Sequence, residues 1–288
     1  MAKTTNKVTE GLFSPEVMSK KLRRNLDNDS VWLDCINRDY EGEIKNAGDT
    51  VVINQPGNIT VGTYVKGTAM TSESPEGNNM LLEINQQKYF NFDIEDIDKV
   101  QANINLVDKY FDRAKTAITL DKDTYLSGIA WAGITGSNKV TDTALSISNI
   151  YNYFVGLRTI LRKANAIKQN GRAYDGKQPY SIVPPEIMAL ILQAPENLRS
   201  TIVGDETVRK GSVVRFAGFD VKETTNGDNS ELRIITGTTE GVTLADQIIK
   251  TRTLEDKDDF AYHCAGLYVY GAKVVQPKCL AGGVVTLA

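Results

Sequence analysis

The side chains with the most chemistry to offer are few and scattered. One histidine, His263, stands beside Cys264 in a chain of 288 residues. A cysteine–histidine dyad needs thiol and imidazole to converge within hydrogen-bond reach. Adjacent residues on a strand point to opposite faces, so this pair is expected to be structural. Cys35, Cys264 and Cys279 are an odd set at long spacings. Zinc takes several cysteine or histidine ligands at short intervals, and a disulfide framework takes pairs, so three scattered thiols suit a reducing compartment. Asp27-Asn28-Asp29 and Asp121-Lys122-Asp123 lack the glycine and distal glutamate of a calcium loop. They read as helix-end and surface residues. Glu255, Asp256, Asp258 and Asp259 read as a solvated acidic loop. The chain contains no phosphate-cradling glycine loop, dinucleotide fingerprint or nucleophile elbow. No catalytic residue, cofactor site or metal ligand is assigned, and the chain reads as a non-enzyme. Two carboxylates distant in sequence can still meet in space, which leaves a cytosolic enzyme with an unrecognised carboxylate site as an alternative.

The elements are more informative than the reactive groups. Residues 48–126 hold a long strand–turn–strand arm that runs into a long helix. Gly48-Asp49 is a turn signal and Thr50-Val51-Val52-Ile53 the first limb. Gln55-Pro56-Gly57-Asn58 interrupts it, and Ile59-Thr60-Val61 resumes it. Residues 66–79 have the composition of a flexible tip. On the return limb Met80, Leu82, Ile84, Phe90, Phe92 and Ile94 share one parity, while Asn85, Gln87, Tyr89, Asn91 and Asp93 hold the other. One face is therefore apolar and one polar. Gln86 and Lys88 break the apolar face, which predicts a bend or bulge there. An isolated two-stranded ribbon is marginal in water, and open edges invite pairing. The arm is expected to find its missing surface on a copy of the same chain, through Ile59, Val61, Tyr64, Lys66, Met70, Met80 and Leu82.

Ile97, Val100, Ile104, Val107, Phe111, Ala114 and Ile118 alternate steps of three and four. Acidic residues open this helix, as the dipole favours, and Gly128 is its expected stop. At 1.5 Å per residue it is a rod of roughly 45 Å. The seam is short for a coiled coil, so it reads as a spine laid across a sheet. Ser14-Pro15-Glu16 opens an earlier helix. That helix carries Lys20, Lys21, Arg23 and Arg24, read as a solvated face or as a contact for a neighbour's carboxylates or enclosed nucleic acid. An amphipathic helix is expected over about 146–168, with Ile147, Ile150, Phe154, Leu157, Leu161 and Ala164 as its stripe. Tyr180-Ser181-Ile182-Val183 reads as a buried strand that Pro184-Pro185-Glu186 turns into a helix. Strands are expected near 212–223, 231–236, 242–249 and 265–276, with a turn at Asn226-Gly227-Asp228-Asn229. Helices with mostly hairpin-linked strands make the fold class α+β.

A hydrophobic content of 41% over this length gives room for a sizeable core. A formal charge of −3 argues against a surface devoted to nucleic acid. No run approaches the ~18 apolar residues of a membrane span, and the first residues have no apolar signal region.

In their order, several segments resemble the major capsid proteins of tailed bacteriophages with the HK97 fold. They are Gly48 to Ile53 with its polar tip, Leu82-Glu83-Ile84-Asn85-Gln86-Gln87-Lys88-Tyr89-Phe90-Asn91-Phe92, Ile94 to Asp98, the strand into Pro184-Pro185, and Gly266 to Pro277. The resemblance implies an N-terminal arm (1–45), an extended loop (46–93) and a peripheral domain with the spine helix (94–135). An axial domain (136–255) follows, and C-terminal strands (256–288) return to the peripheral domain. It implies a subunit that forms hexamers and pentamers, lays its loop over its neighbour, and closes an icosahedral shell around double-stranded DNA. The implied partners are further copies of the chain, a separate scaffolding protein, a portal, and packaged DNA contacted without sequence preference. The implied location is the virion, after assembly in the host cytoplasm. Lys66 lies where some relatives crosslink a loop lysine, but no acceptor is identified for it. An encapsulin-like nanocompartment shell is the alternative on the same fold, although that family's typical N-terminal segment is missing. An adhesin would be mostly β, which the two long helices contradict.

Overall fold

The computed structural model describes residues 30–40, 50–55, 57, 59–67, 69, 72–74, 77–95, 106–140, 143–194, 215–227, 231–255 and 261–288. The helix expected at Ser14, the Ile97–Ile104 part of the spine and the side chain of Val107 lie outside that set.

Eleven strands and three helices are described. The ribbon is β1 (Thr50–Gln55) paired antiparallel with β2 (Asn78–Glu83). The chain leaves strand geometry at Ile84-Asn85 and resumes as β3 (Gln86–Glu95), so the interruption precedes the bend expected at Gln86 and Lys88, both of which lie within the strand. Helix α1 (Leu106–Gly133) is the spine. It runs through Gly128, contrary to the expected stop. Gly128 faces open space while Leu126 and Ala130 are fully buried, so packing on both sides carries the helix past the glycine.

Strand β4 (Thr143–Leu145) precedes α2 (Ile150–Lys163). This helix starts later than its apolar stripe suggests. Asn149 Oδ1 accepts the Ser146 N–H at 2.7 Å and Asn149 Nδ2 donates to the Ala144 carbonyl at 2.8 Å, which holds the preceding turn out of helical geometry. Ile150, Phe154, Leu157 and Leu161 are buried, while Ile147 lies exposed ahead of the helix. Strand β5 (Tyr180–Val183) is buried on both faces and passes through Pro184 into α3 (Pro185–Gln193) as expected.

The segment expected as one strand over 212–223 contains two, β6 (Arg215–Phe216) and β7 (Phe219–Glu223). Ala217 and Gly218 between them have φ of 49° and 85°. Two successive positive φ values make the tight turn that suits a right-twisted hairpin. Arg158 of α2 supports it from below by donating to the Ala217 carbonyl at 3.2 Å. Strands β8 (Leu232–Gly237), β9 (Val242–Glu255), β10 (Ala261–Val274) and β11 (Leu280–Leu287) complete the chain.

Two sheets organise the body. One has the order β4-β11-β8-β5-β7-β6 and the other β3-β10-β9. In the larger sheet Val183, Ile234 and Ala281 face a core with α2 and α3. Their neighbours Ile182, Ile235 and Leu280 face a second core with Trp32 and Leu126 and Ala130 of α1. Strand alternation thus feeds two cores from one sheet. The turn at Asn226-Gly227 does not close a hairpin, because β5 lies between β7 and β8, parallel to the first and antiparallel to the second. The C-terminal strands also divide. β10 returns to β3 beside the spine, whereas β11 enters the larger sheet beside β4 and β8. β9, expected with the axial part, pairs with β10 along its length. Alternation shows which face of a strand is buried, but a strand's neighbour depends on surfaces far away in sequence.

Candidate assembly surface

The arm is anchored at its base and free at its tip. Val51 and Ile53 of β1 and Leu82 and Ile84 are buried against Ala245 of β9 and Val269 of β10. Lys273 Nζ donates to the Leu81 carbonyl at 2.7 Å, and Gln55 Nε2 to the Val275 carbonyl at 3.4 Å. The ribbon root comes so close to β10 that a Cβ on Gly271 would stand 2.2 Å from the Glu83 carbonyl oxygen. Gly271→Val is therefore expected to displace the root and destabilise the subunit by about 1–3 kcal/mol, as overpacking does. Thermal unfolding beside Gly271→Ala measures it, and equal melting points for the wild type and both variants would show that the root yields freely.

This anchoring corrects part of the sequence reading. Leu82, assigned to contact with a second copy, is fully buried within its own chain. Met80 is half-buried against the same cluster. An apolar face long enough for a partner was instead used to dock the arm at home. Met70 and the basic residues Lys20, Lys21, Arg23 and Arg24 lie outside the described residues.

Beyond Gln55 the strand ends, and Ile59, Val61, Tyr64 and Val65 project from the tip, Val61 with 94% of its surface exposed. Lys66 is exposed beside them. The two limbs of the tip are tied across their base. The Thr60 N–H donates to Glu73 Oε2 at 3.0 Å and the Thr60 hydroxyl to Glu73 Oε1 at 2.9 Å. The tip is thus a shaped apolar element that buries almost nothing in its own chain. The sequence reading missed Val65, which is also exposed.

A polar brace fixes the spine beneath the arm. Asp121, Lys122 and Asp123, read from the sequence as surface residues, all tie the spine to other elements. Asp121 accepts Tyr270 Oη at 2.6 Å and Lys88 Nζ at 3.2 Å. Lys122 and Asp123 are buried. Lys122 Nζ donates to Asp246 Oδ2 and lies against the Tyr268 hydroxyl, which itself donates to Asp246. Asp123 accepts Ser30 Oγ at 2.7 Å and the Val31 N–H at 2.9 Å, which fixes the turn that buries Trp32. The signal in the sequence was positional. Ile118, Lys122, Leu126 and Ala130 continue the buried stripe at steps of four, so Lys122 is a charge in a core position.

Burial works to raise the Asp246 carboxyl, but the hydrogen bonds from Lys122 and Tyr268 and the Lys122 charge outweigh it and hold it below the usual range. A carboxyl lowered by folding contributes stability above its unfolded value, near 3.8. That contribution is lost as pH falls through the lower folded value. Acid unfolding below about pH 4 is expected to shift to lower pH in Asp246→Asn relative to its own neutral-pH stability. An unchanged relative pH profile would show that the carboxyl titrates freely.

Among the described residues no group of three or more histidine, cysteine or acidic side chains could hold a metal ion. No described helix is long and apolar enough to cross a membrane. Cys264 is buried and His263 lies on the other face of β10 against Asp93. All three cysteines are buried, and burial pushes the Cys35 thiol up to about 11.

The whole chain is similar to solved phage structures. A structure from Mycobacterium phage Che8 matches at TM-score 0.77 and 23% identity, over 95% of this chain and 97% of that one. The capsid of the cyanophage P-SCSP1u matches at 0.75 and 11% identity, over 96% and 94%. The mature capsid of bacteriophage PhiM1 matches at 0.68 and 11%, over 94% and 91%. No protein-family model and no curated protein matches the sequence. The likeness is one of fold over the full length: the chain has the α+β fold of phage capsid structures, and its resemblance to the HK97-type fold holds at that level.

Proposed function

We propose that this chain is the major capsid subunit of a tailed bacteriophage, assembling through hexamers and pentamers into an icosahedral shell around double-stranded DNA. The observation that carries the reading is the arm: anchored on β9 and β10, tied across its tip by Glu73, and apolar at Ile59, Val61, Tyr64 and Val65, which are all exposed. Its work is geometric. Each copy gives one tip and receives one, and apolar burial returns ~25 cal/mol per Å². Contacts modest singly become a stable shell when closed symmetry repeats them. A charge of −3 suits such a subunit, because strong like charge would oppose assembly. The role needs no catalysis or cofactor. The partners on this reading are further copies, a separate scaffolding protein, a portal and the DNA, and its place is the virion, assembled in the host cytoplasm. The full-length likeness to phage capsids favours this over a nanocompartment shell of similar geometry.

Negative-stain electron microscopy with sedimentation velocity tests the proposal. Closed shells, tubes or capsomer rings are the expected result. A compact oligomer of one small stoichiometry, such as a dimer with an enzymatic activity, would overturn it.

A further inference from the structure

Four basic side chains converge on one cleft at the edge of the larger sheet. Strands β6 and β7 carry Arg215 and Lys222, and the loop ahead of β5 carries Arg172 and Lys177. With Asp34 and Cys35 of the turn that buries Trp32, they border a space of about 300 Å³. Register explains the convergence. Arg215 opposes Asp220 across the β6–β7 hairpin, and Tyr180 opposes Asp220 across β5 and β7. Lys222 lies two positions from Asp220, so these four side chains leave the same side of the sheet. In the loop the Ala173 N–H donates to the Lys177 carbonyl at 2.9 Å, and Gly176 takes a φ of 81°. That tight turn brings Arg172 and Lys177 to the same cleft.

Two of these charges are answered and two are not. Arg215 meets Asp220 and Lys222 meets Asp34, each at 3.2 Å. Arg172 gives one N–H to the Gly176 carbonyl at 3.2 Å, a neutral acceptor. Among the described residues Lys177 Nζ has neither an ion pair nor a hydrogen bond. Asp175, the nearest acid in sequence, is engaged by the Thr239 hydroxyl and the Lys177 backbone N–H. Lys168 offsets Glu240, the neighbour of Thr239. The cleft thus keeps a positive excess in a chain of net charge −3. Its inner wall adds a second observation: Tyr180 is 3% exposed, and its hydroxyl is buried without a hydrogen-bond partner. Buried polar groups left so are costly and uncommon. Unanswered cations at the mouth and an orphan hydroxyl within call for one negatively charged acceptor with several oxygens. Phosphate is that acceptor, taking an arginine fork and a lysine ammonium together. We propose that this cleft is a binding site for a phosphate group, with Arg172 and Lys177 meeting its charge and Tyr180 offering its hydroxyl from the inner wall. The volume is at the lower end for small-ligand pockets, which admits a phosphate with a short substituent. A free oligophosphate and a nucleic-acid backbone share that chemistry.

Isothermal titration calorimetry of the full-length protein with pyrophosphate tests the site, at an ionic strength held constant with sodium chloride. Saturable binding at one site per chain is expected. Lys177→Gln and Arg172→Gln should each weaken it by about tenfold or more, the worth of one charge-assisted hydrogen bond. Both side chains are exposed, so the fold tolerates the changes, and melting temperatures without pyrophosphate should match the wild type. Lys163→Gln removes an exposed charge outside the cleft and should leave binding unchanged. No saturation with millimolar pyrophosphate, or equal losses for Lys163→Gln and Lys177→Gln, would overturn the site. A short DNA duplex added to the complex separates the sources. Displacement of pyrophosphate assigns the cleft to a nucleic-acid backbone, and undisturbed binding assigns it to a free oligophosphate; either result upholds a phosphate site. Shell formation is scored separately by microscopy, so a cleft that binds nothing leaves the shell reading standing.

Discussion

Joining Gln55 directly to Asn78 through an Asn-Gly turn is expected to abolish shell formation and leave the subunit folded. Gln55 and Asn78 are the last opposed pair of the ribbon, so a two-residue turn closes β1 on β2 without strain. The ribbon keeps Val51, Ile53, Leu82 and Ile84, and with them its anchorage. What disappears is the tip, whose large side chains are exposed and contribute little to the monomer. In the assembly each of Ile59, Val61 and Tyr64 would contribute on the order of 1.5–3 kcal/mol when covered. Every copy loses that contribution both as giver and as receiver, and closed assembly multiplies the loss around each ring. Circular dichroism and thermal unfolding should match the wild type, while sedimentation shows only unassembled protein. Normal shells from the shortened subunit would mean that the tip is not the clasp.

Lys122→Met should be the most damaging single substitution in the spine. The side chains of Lys122 and Asp246 are only 6% and 10% exposed. Removing one partner of a buried pair strands the other charge, at a typical cost of about 3–5 kcal/mol. Tyr268 still donates to Asp246, which places the expected loss near the lower end. For a chain of this size that lowers the melting temperature by roughly 5–15 °C. The double variant Lys122→Met with Asp246→Leu should recover most of the loss, since apolar replacement of a buried pair is often neutral. A cost under about 1 kcal/mol for the single variant would show that water reaches the pair. Because Lys122 joins the spine to β9, loss of the pair should also loosen the platform on which the arm rests.

Local elements were legible wherever a short-range rule decided them. The ribbon, the buried strand at Tyr180–Val183 and its passage through two prolines follow from alternation and backbone restriction. Boundaries failed where packing overruled propensity, as at Gly128, or where a side chain held a turn, as Asn149 does before α2. In the tip, Ile59, Val61 and Tyr64 are exposed, as a short apolar stretch among polar and glycine residues allows. Leu82 was misassigned, because burial at home and burial on a neighbour require the same side chain.

The amino-acid sequence alone determined which faces of the ribbon, of α2 and of β5 would be apolar, and that a strand–turn–strand ribbon would precede the long helix. Tertiary structure alone decided which strands are neighbours and which charges meet. β5 enters between β7 and β8, and β11 parts from β10, because each completes a hydrogen-bonded edge that no local pattern encodes. Lys122 finds Asp246 across 124 positions of sequence. A charge so placed reads as solvent-facing until the fold removes the water and supplies the partner, and only the fold could reveal it as the brace beneath the arm.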